Sequence, residues 1–201
     1  QSNKDAAYIP VTNIDHVEVL RGPSSAIYGK DSIGGIINIV LKEPTNEWSG
    51  SVGAEYGSSK YMLGLFETSG ALIDDKLFLG LNGSASKEDG WIINDLNGDK
   101  ANDKKNYNFG LNLKIVPTDR FTIKIYGDLF HRQDDSLDEL FIPKSKLGSI
   151  SKDEAKHINL ETPARVKQTS TSGALDLKYE FDKFDVTSST TYRKVKKDGL
   201  Y

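Results

Sequence analysis

The chain of 201 residues is 37% hydrophobic and 27% charged, has a formal net charge of −3 and contains no cysteine. That balance gives no electrostatic case for nucleic acid and excludes disulfides and thiolate metal centres. No apolar run approaches the roughly 18 residues of a membrane-spanning helix, so a membrane crossing would have to be made by alternating strands, with which a mean hydropathy of −0.48 is compatible.

The first informative stretch is Ile14 to Leu41, IDHVEVLRGPSSAIYGKDSIGGIINIVL. Two short apolar runs, Val17, Val19 and Leu20, then Ile36, Ile37, Ile39 and Val40, bracket Gly22, Pro23, Gly29, Gly34 and Gly35. Glycine and proline at that density predict tight turns between two strands. Ser24 and Ser25 ahead of Ala26-Ile27-Tyr28 predict one helical turn, stopped by Gly29. After Pro44 a period of two takes over. Ser49–Gly57 places Val52, Ala54 and Tyr56 on one face. Tyr61, Leu63 and Leu65 begin a second strand, whose parity Met62 and Phe66 interrupt. Leu77, Leu79, Leu81 and Ala85 alternate with Gly80, Asn82, Ser84 and Ser86. Tyr107, Phe109, Leu111, Leu113 and Ile115 then stand against Asn108, Gly110, Asn112 and Lys114, and Phe121, Ile123 and Ile125 against Thr122 and Lys124. Two further strands follow through Leu175, Leu177, Tyr179 and Phe181, and through Phe184, Val186, Ser188, Thr190 and Tyr192. Successive strand side chains point to opposite faces, so seven such segments predict an antiparallel sheet with one apolar and one polar face. Tyr126 and Phe130 fall on the polar face, which a β-bulge could redirect. On pattern alone a soluble β-sandwich or small barrel also fits.

The connections alternate in length. Ile73–Lys76, Val116–Arg120 and Phe181–Lys183 are tight turns, whereas Glu88–Lys105 and Asp134–Arg165 are long and polar. In a meander every second connection lies on the same side, so both long loops are expected together, with only Gly57–Lys60 short among the outer connections. Aromatics gather at both strand ends: Tyr107 and Tyr192 toward the long loops, Phe121, Tyr179, Phe181 and Phe184 toward the short turns. Short turns on one side, long loops on the other and aromatic girdles are the pattern of outer-membrane barrels. Other motifs are weak. Gly22 to Lys30 has the wrong spacing for a phosphate loop, and Asp31 stands where Ser or Thr should bind the metal. Asp95-Leu96-Asn97-Gly98-Asp99 misplaces the glycine of a calcium loop and has Asn106 where a bidentate Glu is needed. His16, His131 and His157 lack metal-ligand spacing. No catalytic set is discernible, and no cofactor is implied.

Leu20-Arg21-Gly22-Pro23, Tyr28-Gly29-Lys30 and Gly34-Gly35-Ile36-Ile37-Asn38-Ile39-Val40 closely resemble the end of the plug domain of TonB-dependent outer-membrane receptors. Within that family the texture resembles siderophore receptors of the yersiniabactin/pesticin type. The resemblance implies a mainly β fold: residues 1–44 as the C-terminal part of an α+β plug domain, and residues 45–201 as about seven strands of a larger transmembrane antiparallel β-barrel. It further implies import of a ferric siderophore or similar metal chelate, a TonB inner-membrane energy-coupling complex as partner through a region outside this chain, contact with outer-membrane lipid, and location in the outer membrane of a Gram-negative bacterium. The chain is expected to be an internal segment, with the coupling box and most of the plug upstream. A non-transporting β-rich binding protein or adhesin is the alternative.

The same resemblance assigns Glu18, Arg21, Gly22, Pro23, Tyr28, Gly29, Gly34 and Gly35 to the plug motif and its contact with the barrel. In similar receptors plug arginines meet barrel carboxylates, a role carried to Arg21, with Glu18 as a local alternative partner. For ligand capture the candidates are Trp91, in a loop where no regular apolar face requires it, and Arg132, at the outer end of its strand, where its charge could attract an anionic ferric chelate.

Overall fold

The computed structural model describes residues 14–22, 35–135, 142, 144–146, 148–161 and 165–200. Pro23, Tyr28, Gly29, Gly34 and the helical turn expected after Ser24 lie outside the described residues. The two apolar runs around the Gly-rich motif form β1 (Ile14–Arg21) and β2 (Gly35–Leu41), paired antiparallel with Arg21 opposite Gly35 and Val17 opposite Ile39. Gly35 has φ +127, and a Cβ there would stand 2.6 Å from the Leu20 carbonyl oxygen, so only glycine lets β2 start against β1.

The seven alternating segments form one antiparallel meander. It consists of β3 (Ser49–Tyr56), β4 (Met62–Ile73), β5 (Leu77–Glu88), β7 (Lys104–Thr118), β8 (Phe121–Asp134), β10 (Arg165–Glu180) and β11 (Asp185–Leu200), each paired with its neighbour in that order. The two-residue strands β6 (Ile93–Asn94) and β9 (His157–Ile158) belong to the long loops. Cross-strand partners share a face, and the register lines Leu79, Leu113, Ile125 and Leu175 into one row and Asn112 with Gly80 and Tyr126 into the next.

Burial along this sheet runs opposite to that of a soluble sheet. Leu111, Phe109 and Leu129 are 36%, 46% and 44% exposed, whereas Asn112, Asn82 and Ser170 are 7%, 6% and 2% exposed. Antiparallel sheets in water hide the apolar face and wet the polar one. Here the polar face is the shielded one, as in a barrel wall whose greasy side meets lipid. Among the described residues no helix is long and apolar enough to cross a membrane.

Two local expectations are corrected. In β4 the outward residues are Met62, Gly64 and Phe66, opposite Tyr56, Ala54 and Val52, while Leu63 and Leu65 face the polar side. The physical reason is glycine coverage: a Cβ at Gly83 would strike the Phe66 ring at 2.6 Å, and one at Gly53 would strike Leu65 at 2.9 Å, so each side chain roofs a bare backbone on its own face. No bulge turns Tyr126 or Phe130 outward, because the ladder from Phe121 to Asp134 is unbroken against β10. Tyr126 stays inside between Ala174 and Asn112, where its neighbours are small. The register shifts fall next to tight turns instead, between Ala71 and Ile73 and between Ile115 and Thr118.

Candidate functional site

The segment from Lys42 to Trp48 carries the chain from the β1–β2 ribbon to the rim of the sheet, and it is tied to the sheet's polar face. Register places Lys114 directly opposite Lys124 on that face, an arrangement that costs stability unless an anion intervenes. Glu43 supplies it, with Oε2 2.9 Å from Lys114 Nζ and Oε1 hydrogen-bonded by Lys124. The hydrogen bond from Lys124, supported by that from Lys114, holds the Glu43 carboxyl below its ordinary pKa of 4.5 against the opposing effect of partial burial. Lys42 reaches Glu67 at 3.4 Å, and Pro44 between the strands and the rim is buried.

At the rim the stitching becomes specific. Asn46 Nδ2 donates to Asp75 Oδ1 at 2.7 Å and Asn46 Oδ1 accepts the Asp75 N–H at 2.9 Å, which fixes the left-handed residue (φ 60) of the tight turn between β4 and β5. Trp48 lies over Gly70 and donates its indole N–H to the Ala71 carbonyl at 2.8 Å. On the same short-turn side the rings of Phe121, Tyr179, Phe181 and Phe184 form a continuous run, with successive centroids 6.1, 4.5 and 4.7 Å apart.

The motif residues sit elsewhere. Arg21 ends β1 exposed, and among the described residues no ion pair joins it to the seven-stranded sheet. Glu18 accepts from His16 at 3.3 Å, and Gly22 turns the chain with φ +104. Two ionic links therefore join linker and sheet: Glu43 to Lys114 and Lys124, with carboxylate and cation on the opposite sides from those expected for Arg21, and Lys42 to Glu67. For Glu43 the sequence offers only a partial signal, two lysines at inward parity on adjacent strands, and the register that sets them face to face completes it.

At the other end of the sheet the two long loops meet, as the meander requires. β6 pairs with β9 in parallel, Asp95 N–H donates to the Ile158 carbonyl at 2.8 Å, and Asn94 bonds both the Leu160 carbonyl and its N–H, at 2.8 and 3.1 Å. Buried Asn102 accepts the N–H groups of Trp91 and Ile92 at 2.8 and 2.9 Å, and Ile92 is fully buried beneath them. The backbone of Trp91 is thereby fixed while its indole remains 44% exposed. Arg132 faces inward opposite Asn106 and Gln168 and donates to Asp134, so its charge is already engaged. Residues 95–99 form a turn closed by Asn94 and Asn97, and among the described residues no group of three or more His, Asp or Glu could hold a metal ion.

A two-stranded ribbon whose following segment is tied to the polar side of an inside-out antiparallel sheet has the geometry of an outer-membrane barrel wall with a segment on its polar side. Residues 1–36 match the TonB-dependent Receptor Plug Domain family. A probable TonB-dependent siderophore receptor, PirA, of Acinetobacter baumannii is 40% identical over 91 residues, covering 41% of this chain and 12% of the relative. The pesticin receptor of Yersinia pestis is 31% identical over 111 residues, covering 55% and 16%. The crystal structure of the ferric yersiniabactin uptake receptor FyuA from Yersinia pestis superposes with a TM-score of 0.77 at 22% identity, over 94% of this chain and 29% of that one. Residues 1–36 thus match the plug domain of TonB-dependent receptors, the chain as a whole shares the fold of a solved receptor of that kind, and it spans less than a third of the length of the relatives it matches.

Proposed function

We propose that the chain is the plug-to-barrel junction of a receptor that imports a ferric siderophore or similar metal chelate across the outer membrane. Residues 1–44 act as the end of the plug and residues 45–201 as the first part of the barrel. The observation that carries this reading is the inverted sheet: an apolar face that leaves Phe109, Leu111, Ile125, Leu129 and Leu175 36–46% exposed would be costly in water and is at home in lipid. A soluble binding module or adhesin would place that face inside.

In this account the outer loops capture the chelate, an inner-membrane TonB complex supplies the energy that moves the plug, and no covalent bond is made or broken. Glu18, Arg21 and the motif glycines shape the plug end, and Arg21 is assigned a plug–barrel contact in the intact receptor. Trp91 offers a flat, rotamer-poor contact to the chelate, with Arg132 at the same end of the sheet as a source of positive potential once its pairing with Asp134 loosens. The test is uptake of radiolabelled iron from a panel of ferric siderophores, beginning with ferric yersiniabactin, in a strain lacking the receptor gene. Uptake restored by the intact gene and abolished by removal of TonB is expected. Surface binding without TonB-dependent uptake would instead support the adhesin-like reading.

A further inference from the structure

The outward face of the sheet is not uniformly smooth. At its long-loop end lies a depression of about 560 Å³. Gly64 forms its floor, where a Cβ would meet nothing within 4 Å. Ala54 and Ala85 flank that glycine, and Tyr56, Met62 and Tyr107 form the walls. Register confirms that these residues share the apolar face: Ala54, Gly64, Ala85 and Tyr107 form one cross-strand row, and Tyr56 stands opposite Met62.

Two residues farther toward the loops, the same face becomes basic. Lys87 lies opposite both Met62 and Lys105, so two ammonium groups are paired across strands at the mouth of the depression. Asp89 takes Lys87 at 2.9 Å and Lys60 at 3.4 Å. Asp103, the next carboxylate along, accepts the Gly90 N–H at 2.6 Å and acts on Lys87 only through its more distant charge. Lys87 and Lys60 therefore share the carboxylate of Asp89, and among the described residues no carboxylate forms an ion pair with Lys105. Opposed lysines on one face repel unless an anion lies between them.

We propose that this feature binds a phosphorylated, acylated lipid of the outer leaflet, one acyl chain lying in the depression over Gly64 and a phosphate seated between Lys87 and Lys105. The proposal rests on the reading of this face as lipid-facing. Apolar walls and a cationic mouth on one continuous surface match the two ends of such a lipid. The match also fixes its depth, since the lysines stand at the long-loop rim where headgroups lie.

The experiment uses the intact receptor, extracted from outer membranes in mild detergent and examined by native mass spectrometry with lipid A, dephosphorylated lipid A and phosphatidylglycerol as probes. Wild-type receptor should retain lipid A and release the dephosphorylated form. The double variant Lys87→Gln/Lys105→Gln should lose about twentyfold to thirtyfold in retention, as each surface lysine contributes about fivefold to capture of an anionic headgroup. Gly64→Leu, which fills the floor and leaves the lysines intact, should also weaken retention. Equal retention by wild type and both variants, or of lipid A with and without phosphate, would overturn the site. Outer-membrane fractionation and heat-modifiable gel mobility are read in parallel. A receptor absent from the outer membrane would overturn the membrane reading itself, whereas correctly inserted variants that still hold lipid A would remove only the lipid site.

Discussion

Along β7 the side chains pointing outward are Tyr107, Phe109, Leu111, Leu113 and Ile115, and those pointing inward are Asn106, Asn108, Gly110, Asn112 and Lys114, yet the inward, polar set is the one withdrawn from solvent. The outward face is held by rows of like partners, Leu79 with Leu113 and Ile125 with Leu175, that need no specific geometry. The inward face is held by particular pairs: Glu43 between two lysines, Asn106 with Ser86, and Arg193 with Ser170 at 3.2 Å. One face is thus suited to a solvent that makes no hydrogen bonds. The other contacts the linker and carries side chains whose bonding capacity is only partly used, as at Asn108 Nδ2 and Asn112 Oδ1.

The most severe way to break this division is to put a charge on the wrong face. Leu113→Arg should cost about 2–4 kcal/mol at the bilayer midplane and cripple assembly, while its neighbour Asn112→Arg is tolerated. The fraction of heat-modifiable receptor in the outer membrane measures both. The same contrast in β4 sharpens the reading, with Phe66→Arg expected to be damaging and Leu65→Arg mild. The reverse order would restore the parity that Leu63 and Leu65 suggest in the sequence.

A smaller effect is expected at the long-loop end. Asn102→Ala strips two N–H groups of their acceptor beside fully buried Ile92, a local loss of about 1–3 kcal/mol. Hydrogen exchange should quicken across residues 89–103 and leave β7 unchanged. At the junction, Glu43→Gln leaves Lys114 facing Lys124 without an anion. Because the glutamate is half exposed, the expected cost is only about 1 kcal/mol. Its folded-state pKa is depressed, so the carboxylate's contribution is present above the ordinary value of 4.5 and is lost as pH falls through the lower folded value. Amide protection of residues 42–48 should therefore decline below about pH 4.5 in the wild type and be low at neutral pH in the variant. The smallest effect is expected for Trp91→Ala, a few-fold loss of chelate affinity at normal surface expression, under about 1 kcal/mol.

How much of this was legible depended on whether side chains carried the period. β7 alternates without interruption, as does β8 as far as Ile125, and their faces and partners there follow directly from the sequence. β4 misleads because its outward positions include Gly64 and Gly70, which have no side chain to register, so Leu63 and Leu65 dominate the pattern although they face inward. The unbroken ladder at Tyr126 and Phe130 shows that an inward aromatic needs no bulge when Ala174 and Asn112 leave it room. The contact between β6 and β9 was invisible, since two-residue strands held by Asn94 in polar loops have no periodicity, although the meander placed both loops on one side. Among site residues, Trp91 occupies the exposed loop position expected of it. Arg132 lies at its strand end as expected, but its local bond to Asp134 depends on inward parity and a side-chain rotamer that spacing cannot convey. The role of Glu43 emerges only when the register brings Lys114 and Lys124 face to face.

The central claim is that the apolar face meets lipid and the polar face does not. With no native cysteine in this chain, single cysteines can be placed at each position from Tyr107 to Ile115 and nitroxide-labelled in the intact receptor reconstituted in lipid. Collision with dissolved oxygen should peak at 109, 111 and 113, and collision with a water-soluble nickel reagent should be low there, with 108, 110 and 112 shielded from the lipid-borne probe. An absence of period-two contrast between these positions, or equal access of the water-soluble reagent to both sets, would contradict the account.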